Sequence, residues 1–356
     1  MTQNLNCEPP PRIIVVGQTF EASRTVQRVA AMRDLGCSVT CVPTVPEGAN
    51  YETPPAIQQR IRYRLRFPAD PAKANPEILS EVERGADILW LDAADMISAA
   101  TLRRAKWINK DLALVWYCED DMMNPRLRTR QLDATLGLFD LWVTTKSFNA
   151  RPEEVPSLGA RRVLFVNNSC DPVLHHPVPI GDEDRIRFGA LISFIGSFEE
   201  PRAQSMLHLA RQGLKVRVWG NGWADWIGRH ANLLIENRPA YNDEFAKVVS
   251  ASSINLCFLR HANRDLQTCR SIEVPACEGF MVHERNDEIT ALYREEKEAA
   301  YFSSEEELAR VCVSWIQRDR PRGLIGKAAR QRTLELELVH GSNIIRILGA
   351  LKGGQP

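Results

Sequence analysis

The sequence lacks the short motifs that mark several common enzyme classes. No segment matches the P-loop patterns GxxxxGKS or GxxxxGKT, and the first apolar run, RIIVVG, ends in one glycine without the pattern GxGxxG. These absences argue against a P-loop nucleotide hydrolase and against a typical nicotinamide dehydrogenase. The nucleophile elbow GxSxG and the zinc-protease helix HExxH are also missing.

Histidine and paired cysteines are scarce. No histidine precedes His175, so the early loops cannot supply a histidine general base. The nine cysteines are scattered without a CxxC pair, which fits reduced thiols better than a disulfide framework. Cys37 and Cys41 lie close together but have no histidine cluster nearby. We interpret them as core positions on a strand, and the sequence predicts no metal site.

The chain also has no long apolar run and no excess of one charge. No segment approaches the ~20 apolar residues of a membrane span, and the start MTQNLNCEPPPR lacks the order of a secretory signal. Lys and Arg number 45 and Asp and Glu also number 45, so no net field attracts nucleic acid. We expect a cytoplasmic protein without nucleic-acid partners, and we leave peripheral membrane contact open.

What the sequence does contain is a regular alternation of strands and helices in two halves. The first half shows apolar strand-like runs at 12–17, 37–42, 86–92, 112–118, 141–145 and 162–167. A polar, proline-bearing stretch at 171–187 is typical of an exposed linker. The alternation then resumes with strands at 191–195, 215–219 and 253–259. The pattern predicts two doubly wound α/β domains, 12–175 and 188–338, that face a central cleft. The tail, 339–356, is a separate segment, and one arrangement open to it is to pack back on the first domain.

One segment of the first half interleaves arginine with apolar residues. Residues 60–67 read RIRYRLRF, and as a helix they predict one buried stripe of Ile57, Ile61 and Leu65 with the arginines on the remaining surface. We interpret this as an ordinary amphipathic helix with a solvated basic face. The alternative is a basic patch for a phosphate-bearing acceptor or for anionic lipid head groups.

The most informative stretch is residues 260–279, RHANRDLQTCRSIEVPACEG, which lies between two strand-like segments. It begins at Arg260, places Asp265 and Glu273 eight residues apart, and has Arg270 between them. Such a loop and short helix bring side chains to the carboxyl edge of a parallel sheet. There a carboxylate can accept hydrogen bonds from sugar hydroxyls, and an arginine can bind a phosphate. Any one of these residues could equally belong to a capped surface helix with a solvated ion pair.

Glycine-bearing turns follow two other strands of the second half. They consist of Gly196 and Ser197 after one strand, and of Gly220, Gly222 and Trp223 after the next. Glycine lets the backbone approach a ligand, and the helix that carries Arg202 starts directly after the first turn, where free N–H groups favour an anion. Each turn alone is weak evidence, but their recurrence at strand ends predicts a ligand site.

The first half offers carboxylates instead. Glu119, Asp120 and Asp121 follow the strand at 112–118. Three adjacent carboxylates repel one another, and we expect this repulsion to raise a pKa towards the range useful for a general base. Asp120 is the first candidate and Asp121 the second. A helix N-cap is the structural alternative for one of the three.

These segments resemble a known family. The runs FIGSFEEPR, VWGNGW, INLCFLRHANRDLQTCRSIEVPACEGFMVHE and EAAYFSSEEELARV are similar to the C-terminal domain of the spore maturation protein CgeB-like glycosyltransferases, over residues 193–313. YCEDD, FDLWVTT and VNNSCDPVLHHP resemble the family more loosely. The resemblance implies a GT-B fold of two Rossmann-like domains and a retaining, nucleotide-sugar-dependent transferase.

The resemblance also implies roles for individual residues. Glu273 would bind the ribose hydroxyls and Asp265 the transferred sugar, while Arg202 and Arg270 would lie near the diphosphate. Residues 220–223 would lie near the nucleotide, and Arg260 belongs to the same binding set. The sequence departs from the wider group in three places: an aspartate stands at 265 instead of glutamate, no lysine accompanies Ser252-Ser253, and Glu278 replaces a glycine.

The sequence thus predicts transfer of a sugar from a UDP- or GDP-sugar co-substrate to a glycan, a lipid-linked or another acceptor. Arginines and helix starts would neutralise the leaving diphosphate without a metal. Retention of configuration at the anomeric carbon is favoured. If the enzyme instead inverts this configuration, Asp120 would be the base that takes the acceptor proton. Two alternatives are a non-catalytic nucleotide- or glycan-binding protein and a nucleotide-sugar epimerase of the same fold.

Overall fold

A computed structural model of the chain describes residues 10–353. Cys7 and most of the segment compared with signal sequences lie outside the described residues, as do the last three residues of the tail. The chain divides into two units: one contains the residues up to Asn167 and those from His340 onward, and the other is Asn168–Val339. In the described part of the chain, no helix is long and apolar enough to cross a bilayer.

The first unit is a parallel sheet with flanking helices. Its elements are β1 (Arg12–Gly17), α1 (Arg24–Asp34), β2 (Ser38–Pro43), α2 (Ile57–Arg64), α3 (Ala74–Glu83), β3 (Ile88–Asp92), α4 (Ala99–Ile108), β4 (Ala113–Cys118), α5 (Arg130–Asp133), β5 (Leu141–Thr144) and β6 (Val163–Phe165). The strand order is β2-β1-β3-β4-β5-β6. The direction of winding reverses between β1 and β3, which makes their carboxyl ends the expected ligand crevice.

The second unit repeats this architecture. Its elements are α6 (Asp182–Phe188), β7 (Ala190–Ile195), α7 (Glu200–Arg211), β8 (Val216–Trp219), β9 (Leu233–Ile235), α8 (Asp243–Ala251), β10 (Ser252–Cys257), α9 (Arg270–Ala276), β11 (Met281–Glu284), α10 (Asp287–Leu292), β12 (Ala300–Phe302), α11 (Glu305–Ile316) and α12 (Asp319–Glu335). The strand order β12-β11-β10-β7-β8-β9 puts the switch point between β7 and β10. The prediction of two doubly wound α/β units is confirmed.

The predicted linker at 171–187 is wrong as a description of this segment. It lies within the second unit, and its charged residues build α6. Asp182, Glu183 and Asp184 occupy the first turn of α6, and Arg185 and Arg187 the last, so both ends complement the helix dipole. The predicted exposure holds for residues 181–187, which are mostly exposed, but their charges also stabilise a short helix.

The helix around residues 60–67 forms as α2, but its predicted buried stripe is wrong. Ile57, Ile61 and Leu65 are 73%, 54% and 61% exposed, and no residue of α2 is buried. Helical periodicity places these side chains on one face, but that face points to solvent.

The last helix, α13 (His340–Lys352), completes the first unit. It packs against α1, and its Ile344, Ile347 and Leu348 join a buried cluster that includes Val29. Arg162 of the first unit also donates to the carbonyl oxygen of Ala350 at 2.6 Å. The chain therefore returns to the first sheet after the second unit is complete.

Candidate functional site

In the second unit, the loops after β7 and β8 approach each other through two glycines. A Cβ atom on Gly220 would lie 1.9 Å from the carbonyl oxygen of Gly196, and Gly220 has a φ of +153°. The N–H of Gly196 donates to the carbonyl of Trp219 at 2.8 Å. Only glycine fits at position 220, so the close approach of the two loops is built into the sequence.

Trp223 supports this pair of loops from behind. Its indole Nε1–H donates to the carbonyl oxygen of Gly196 at 2.9 Å, and its backbone N–H donates to Asn237 Oδ1 at 3.0 Å. The side chain is fully buried. Trp223 thus lies beside the loops, as its position in the sequence implied, but it shapes them and offers no exposed ring face. Gly222 and Ser197 are exposed on the same loops.

Arg270 and Glu273 form an ion pair on one face of α9 at the switch point. The guanidinium of Arg270 contacts the carboxylate of Glu273 and donates from Nε to the carbonyl oxygen of Ile195, the last residue of β7, at 3.2 Å. Glu273 is buried, whereas Arg270 is partly exposed. The pair therefore links α9 to the end of β7 and leaves part of one cation accessible.

His175 is the residue of this cluster that the sequence reasoning missed. Its Nε2 lies 3.8 Å from Glu273 Oε1, and its Nδ1 accepts from the backbone N–H of Asp171 at 3.1 Å. This bond leaves Nε2 as the protonated nitrogen of a neutral ring. Phe245 packs edge-on to the imidazole and lies under the Arg270 guanidinium. The sequence signal that could have found His175 is its place in the segment VNNSCDPVLHHP, which resembles the family. The predicted domain 12–175 assigns this histidine to the first unit, whereas it belongs to the second.

Asp265 organises the loop between β10 and α9. Its carboxylate accepts from the backbone N–H of Arg260 at 3.3 Å and from the side-chain amide of Asn263 at 2.7 Å. It is almost fully buried. The structure therefore places Asp265 close to Arg260, where its carboxylate holds the loop. A role for Asp265 towards a sugar stays a prediction.

Arg202 lies in the first turn of α7, close enough to Arg260 and Asp265 of this loop to feel their charges. Its side chain is buried, and among the described residues its Nε has no hydrogen-bond partner; the nearest carboxylate oxygen is Glu199 Oε2 at 3.6 Å. Burial lowers the pKa of Arg202. Glu199 also pairs with Arg260 at 2.8 Å. A buried guanidinium without its full set of acceptors is poised for an anionic ligand.

The first unit contains a cavity of about 780 Å³ at the carboxyl ends of β1, β3 and β4. It is lined by Gln18, Arg24, Arg28, Tyr51, Arg60, Tyr63, Asp92, Asp95, Glu119 and Asp120, among other residues. This is the crevice expected from the reversal of winding between β1 and β3. The mixture of tyrosines, carboxylates and guanidiniums suits a polyhydroxylated or charged ligand.

The base of this cavity holds an ion-pair network. Arg28 binds Asp92 through two hydrogen bonds of 2.7 Å and Glu119 through one of 2.9 Å. Burial opposes the charge of Glu119, but Arg24 and Arg28 outweigh it, so its pKa is lowered. The expectation that crowding raises the pKa of this carboxylate is therefore wrong, because guanidiniums surround it.

The other two carboxylates of the triplet diverge. Asp120 is half-buried and lines the cavity. Asp121 is buried, and its Oδ1 accepts from the backbone N–H of Met123 at 3.0 Å and from the amide of Asn149 at 2.9 Å. Asp121 thus holds a turn and is not a helix N-cap, since the next helix, α5, is capped by Thr129. It does not line the cavity, so Asp120 is the better placed candidate.

Asp95 is a cavity carboxylate that the sequence reasoning did not select. Burial raises the pKa of Asp95 to about 6. Tyr63 of α2 lies near both Asp95 and Asp120 and has its own pKa raised, chiefly by burial. No local motif marks Asp95, since it stands three residues after the end of β3. In residues 10–353, no group of three or more histidine, cysteine, aspartate and glutamate side chains has an arrangement that could hold a metal ion.

Comparisons with known proteins agree with this architecture. Residues 202–340 match the family model described as Glycosyl transferase-like. No curated protein matches the chain in sequence. Among solved structures, sucrose-phosphate synthase from Thermosynechococcus elongatus superposes with a TM-score of 0.63 at 10% identity, covering 97% of this chain and 100% of that one.

Two further structures give similar values. HepE from Anabaena, in complex with UDP and glucose, has a TM-score of 0.63 at 11% identity. The match covers 96% of this chain and 100% of the HepE chain. A glycosyltransferase from Rickettsia africae has a TM-score of 0.63 at 10% identity, and the match covers 97% of this chain and 100% of that one. The chain therefore has the GT-B fold, and residues 202–340 match a glycosyl transferase-like domain.

Proposed function

We propose that this protein is a glycosyltransferase that moves a sugar from a nucleotide diphosphate sugar to an acceptor. The observation that carries the proposal is the set of groups at the switch point of the second unit. A glycine-only contact joins two loops. The buried Arg202, in the helix that follows the first of these loops, has an Nε without a hydrogen-bond partner in the described chain and a longer ion pair with Glu199. The match of residues 202–340 to a glycosyl transferase-like family supports this assignment.

The donor diphosphate is assigned to Arg202 and Arg270. A departing diphosphate carries developing negative charge, and fixed guanidiniums stabilise that charge without reorganising. Arg270 is held by Glu273 and by the carbonyl of Ile195, so its position is set before a ligand arrives. This supply of positive charge from arginine is the reason why we propose a reaction that does not need a metal ion.

The ribose is assigned to Glu273 and the transferred sugar to the Asp265 loop. Arg270 orients the carboxylate of Glu273 from one side, and His175 lies on the other. The complexes of HepE with UDP and glucose and with UDP-glucose support a uridine nucleotide as the first donor to test. We further propose retention at the anomeric carbon, in which the departing phosphate takes the acceptor proton.

The acceptor is assigned to the cavity of the first unit. Its tyrosines can stack on sugar rings, and its carboxylates can accept hydrogen bonds from hydroxyl groups. Asp120 lines this cavity and would be the proton acceptor if the reaction inverts.

The central experiment is a thermal-shift screen against UDP-, GDP-, dTDP- and CMP-sugars, because a ligand that binds only the folded state raises Tm. A shift with one nucleotide class, followed by release of sugar from that donor, supports the transferase. Conversion of the donor to an epimer would instead identify an epimerase. Binding without any turnover, with a panel of acceptors present, would identify a non-catalytic binder.

Variants test the donor residues. Glu273→Gln should weaken nucleotide affinity by roughly tenfold or more, because a charge-assisted hydrogen bond contributes ~1.5–3 kcal/mol. Asp265→Asn should leave affinity for the bare nucleotide diphosphate near wild type and lower turnover. Glu295→Gln is the matched control, since it removes a carboxylate from an exposed arginine pair in the same unit. If all three variants have the same nucleotide affinity and the same turnover, the site is wrongly placed.

The metal requirement has its own measurement. Turnover should survive EDTA, since guanidiniums supply the positive charge. Loss of turnover on chelation, with recovery on adding magnesium or manganese, would show that a metal ion stabilises the leaving group.

A further inference from the structure

Helix α2 in the first unit presents its apolar side to solvent. Ile57, Ile61 and Leu65 are spaced four residues apart, so they lie above one another on one face, and each is more than half exposed. An ordinary surface helix buries such a stripe against the core. Here the stripe stays more than half exposed in the described chain, and no residue of α2 is buried. The exposed stripe therefore needs an explanation other than folding of this unit.

Arginines border the stripe on both sides. Arg60 and Arg64 lie along one edge and Arg62 along the other, as follows from a rotation of about 100° per residue. All three are exposed. No acidic residue occurs between Glu52 and Asp70, so nothing in this segment neutralises them. The helix surface thus combines exposed aliphatic side chains with a local excess of positive charge, although the chain as a whole has a formal net charge of +0.

The opposite side of α2 is already in use. Gln59 and Tyr63 line the cavity of the first unit, and Arg60 and Arg64 reach its edge. At its C-terminal end the helix is fixed by the next arginine, because Arg66 binds Asp133 at 2.8 Å and the carbonyl oxygen of Arg128 at 2.9 Å. The apolar stripe is therefore the outer surface of a helix whose inner surface borders a ligand cavity.

We propose that α2 docks on an anionic lipid surface, with Ile57, Ile61 and Leu65 entering the interfacial region and Arg60, Arg62 and Arg64 contacting lipid phosphates. Charge complementarity selects this occupant. An apolar stripe flanked by arginine, with no acid nearby, is the composition that lies in the plane of an anionic bilayer. The long arginine side chains can extend their charged ends to the head groups while their stems stay beside the apolar stripe.

This docking goes beyond the proposed transfer reaction and adds a location for it. A cavity bordered by α2 would open next to the bilayer surface, where an acceptor carried on a lipid is available. The docking itself needs neither donor nor turnover. Failure of the transferase proposal therefore leaves it intact, and failure of docking leaves the donor assignment intact.

The test is co-sedimentation of the full chain with vesicles of phosphatidylcholine, with and without phosphatidylglycerol. Binding is expected only with phosphatidylglycerol. It should fall when the salt is raised from about 0.1 M to about 0.5 M, because screening weakens contacts between exposed charges. Binding that is equal for both vesicle types, or absent from both, overturns the proposal.

Two variants locate the surface. Arg62→Gln should weaken binding to phosphatidylglycerol vesicles by roughly fivefold, the effect of one basic residue near an anionic membrane. Ile57→Ser combined with Ile61→Ser should weaken it by about tenfold or more, since the apolar contact is lost. All three positions are exposed, so Tm and helix content should not change. The matched controls are Arg320→Gln and Ile186→Ser, exposed positions of the second unit. Controls that lose binding as much as the α2 variants would show that α2 is not the surface.

A second copy of the chain is the competing occupant. If sedimentation velocity without lipid shows a dimer that the double isoleucine variant converts to a monomer, α2 is a protein interface and the lipid proposal is overturned. A monomer under the same conditions, with lipid binding as described, supports it.

Discussion

The indole N–H of Trp223 donates a 2.9 Å hydrogen bond to the carbonyl oxygen of Gly196. This bond joins the two loops that follow β7 and β8, where we place the nucleotide. Trp219 lies four residues earlier and is equally buried. Its indole nitrogen has no hydrogen-bond partner in the described structure. The two tryptophans therefore form a natural pair for comparison.

Trp223→Phe should destabilise the protein by about 1–2 kcal/mol more than Trp219→Phe. Both changes remove similar volume from the core, but only the first deprives a carbonyl of its donor. Urea denaturation of both variants measures the difference. We also expect Trp223→Phe alone to weaken nucleotide binding, because the Gly196 loop loses its anchor. Equal stabilities for the two variants would show that the hydrogen bond contributes nothing.

Gly220→Ala should destabilise the protein by about 3 kcal/mol or more. The new Cβ atom would lie 1.9 Å from the carbonyl oxygen of Gly196, so the loops would have to separate. Gly213→Ala is the control: it also has a positive φ, +85°, but open space around its Cβ position. Backbone strain alone should cost about 1 kcal/mol there. Similar losses in thermal unfolding for both variants would remove the argument for loop contact.

Arg202 and Arg322 are two buried arginines of the second unit with different surroundings. Arg322 donates to the carbonyl oxygens of Trp315 and Ile316 and pairs with Asp319. Arg202 Nε has no hydrogen-bond partner in the described chain and only a longer ion pair with Glu199, at 3.6 Å. Arg202→Met should therefore change stability by less than about 1 kcal/mol and weaken nucleotide diphosphate binding by about ten- to a hundredfold.

Arg322→Met should show the reverse pattern, with a clear loss of stability and unchanged affinity. Calorimetric titration with the nucleotide diphosphate and thermal unfolding of both variants separate the two cases. If Arg202→Met lowers Tm and leaves affinity unchanged, Arg202 is a structural residue.

Asp95 should make stability depend on pH in a particular direction. Its pKa in the folded state is about 6, above the ordinary aspartate value of 3.8, so between these values the folded state binds more protons than the unfolded state. Stability contributed by this group is therefore highest at low pH and falls as the pH rises towards 6. Above pH 6 the charged, buried carboxylate costs about 1–2 kcal/mol, reduced from the full linkage value because the side chain is partly exposed.

Asp95→Asn should thus stabilise the protein at pH 7–8 and flatten this part of the pH profile, with values taken from denaturation between about pH 4 and pH 8. Asp140→Asn, at a more exposed carboxylate of the same unit, should leave the slope in place. An unchanged slope in Asp95→Asn would mean that Asp95 is ionised in the folded state at acidic pH.

Much of the fold follows from local pattern. The run RIIVVG predicts a strand at 12–17, and β1 is Arg12–Gly17, because an apolar run of six residues before a glycine fits a buried parallel strand. Ser304 is the N-cap of α11, since its hydroxyl accepts from the N–H of Glu307 at 3.2 Å, and a serine followed three residues later by glutamate is typical of a helix start. Among the three-residue strands, β6 was predicted from the longer apolar run around it, whereas β9 and β12 were not, because so short a run carries no period of its own.

The errors share one physical origin. Periodicity shows which side chains of α2 lie together, but it does not show whether water or protein covers them. Composition likewise showed that the segment at 171–187 is polar, but not that its charges are ordered along a helix with Phe188 buried at the end. Burial is decided by the tertiary structure, which a local pattern does not contain.

The candidate site was predicted in part for the same reason. Strand ends gave Gly196, Gly220, Arg270 and Glu273 correctly as neighbours of one sheet edge. His175 was missed because its approach to Glu273 depends on a chain segment about a hundred residues earlier in the sequence. Asp95 was missed because its raised pKa comes from burial in a cavity, and that cavity exists only after the sheet has formed.

The return of α13 to the first unit affects how the protein can fold during its synthesis. The side chains that close one part of this unit's core, Ile344, Ile347 and Leu348, leave the ribosome after the whole second unit. Until then the partner face around Val29 is exposed to solvent. We therefore expect the second unit, which is continuous in sequence, to be able to complete its fold earlier, whereas the first unit completes its core only once α13 has been made.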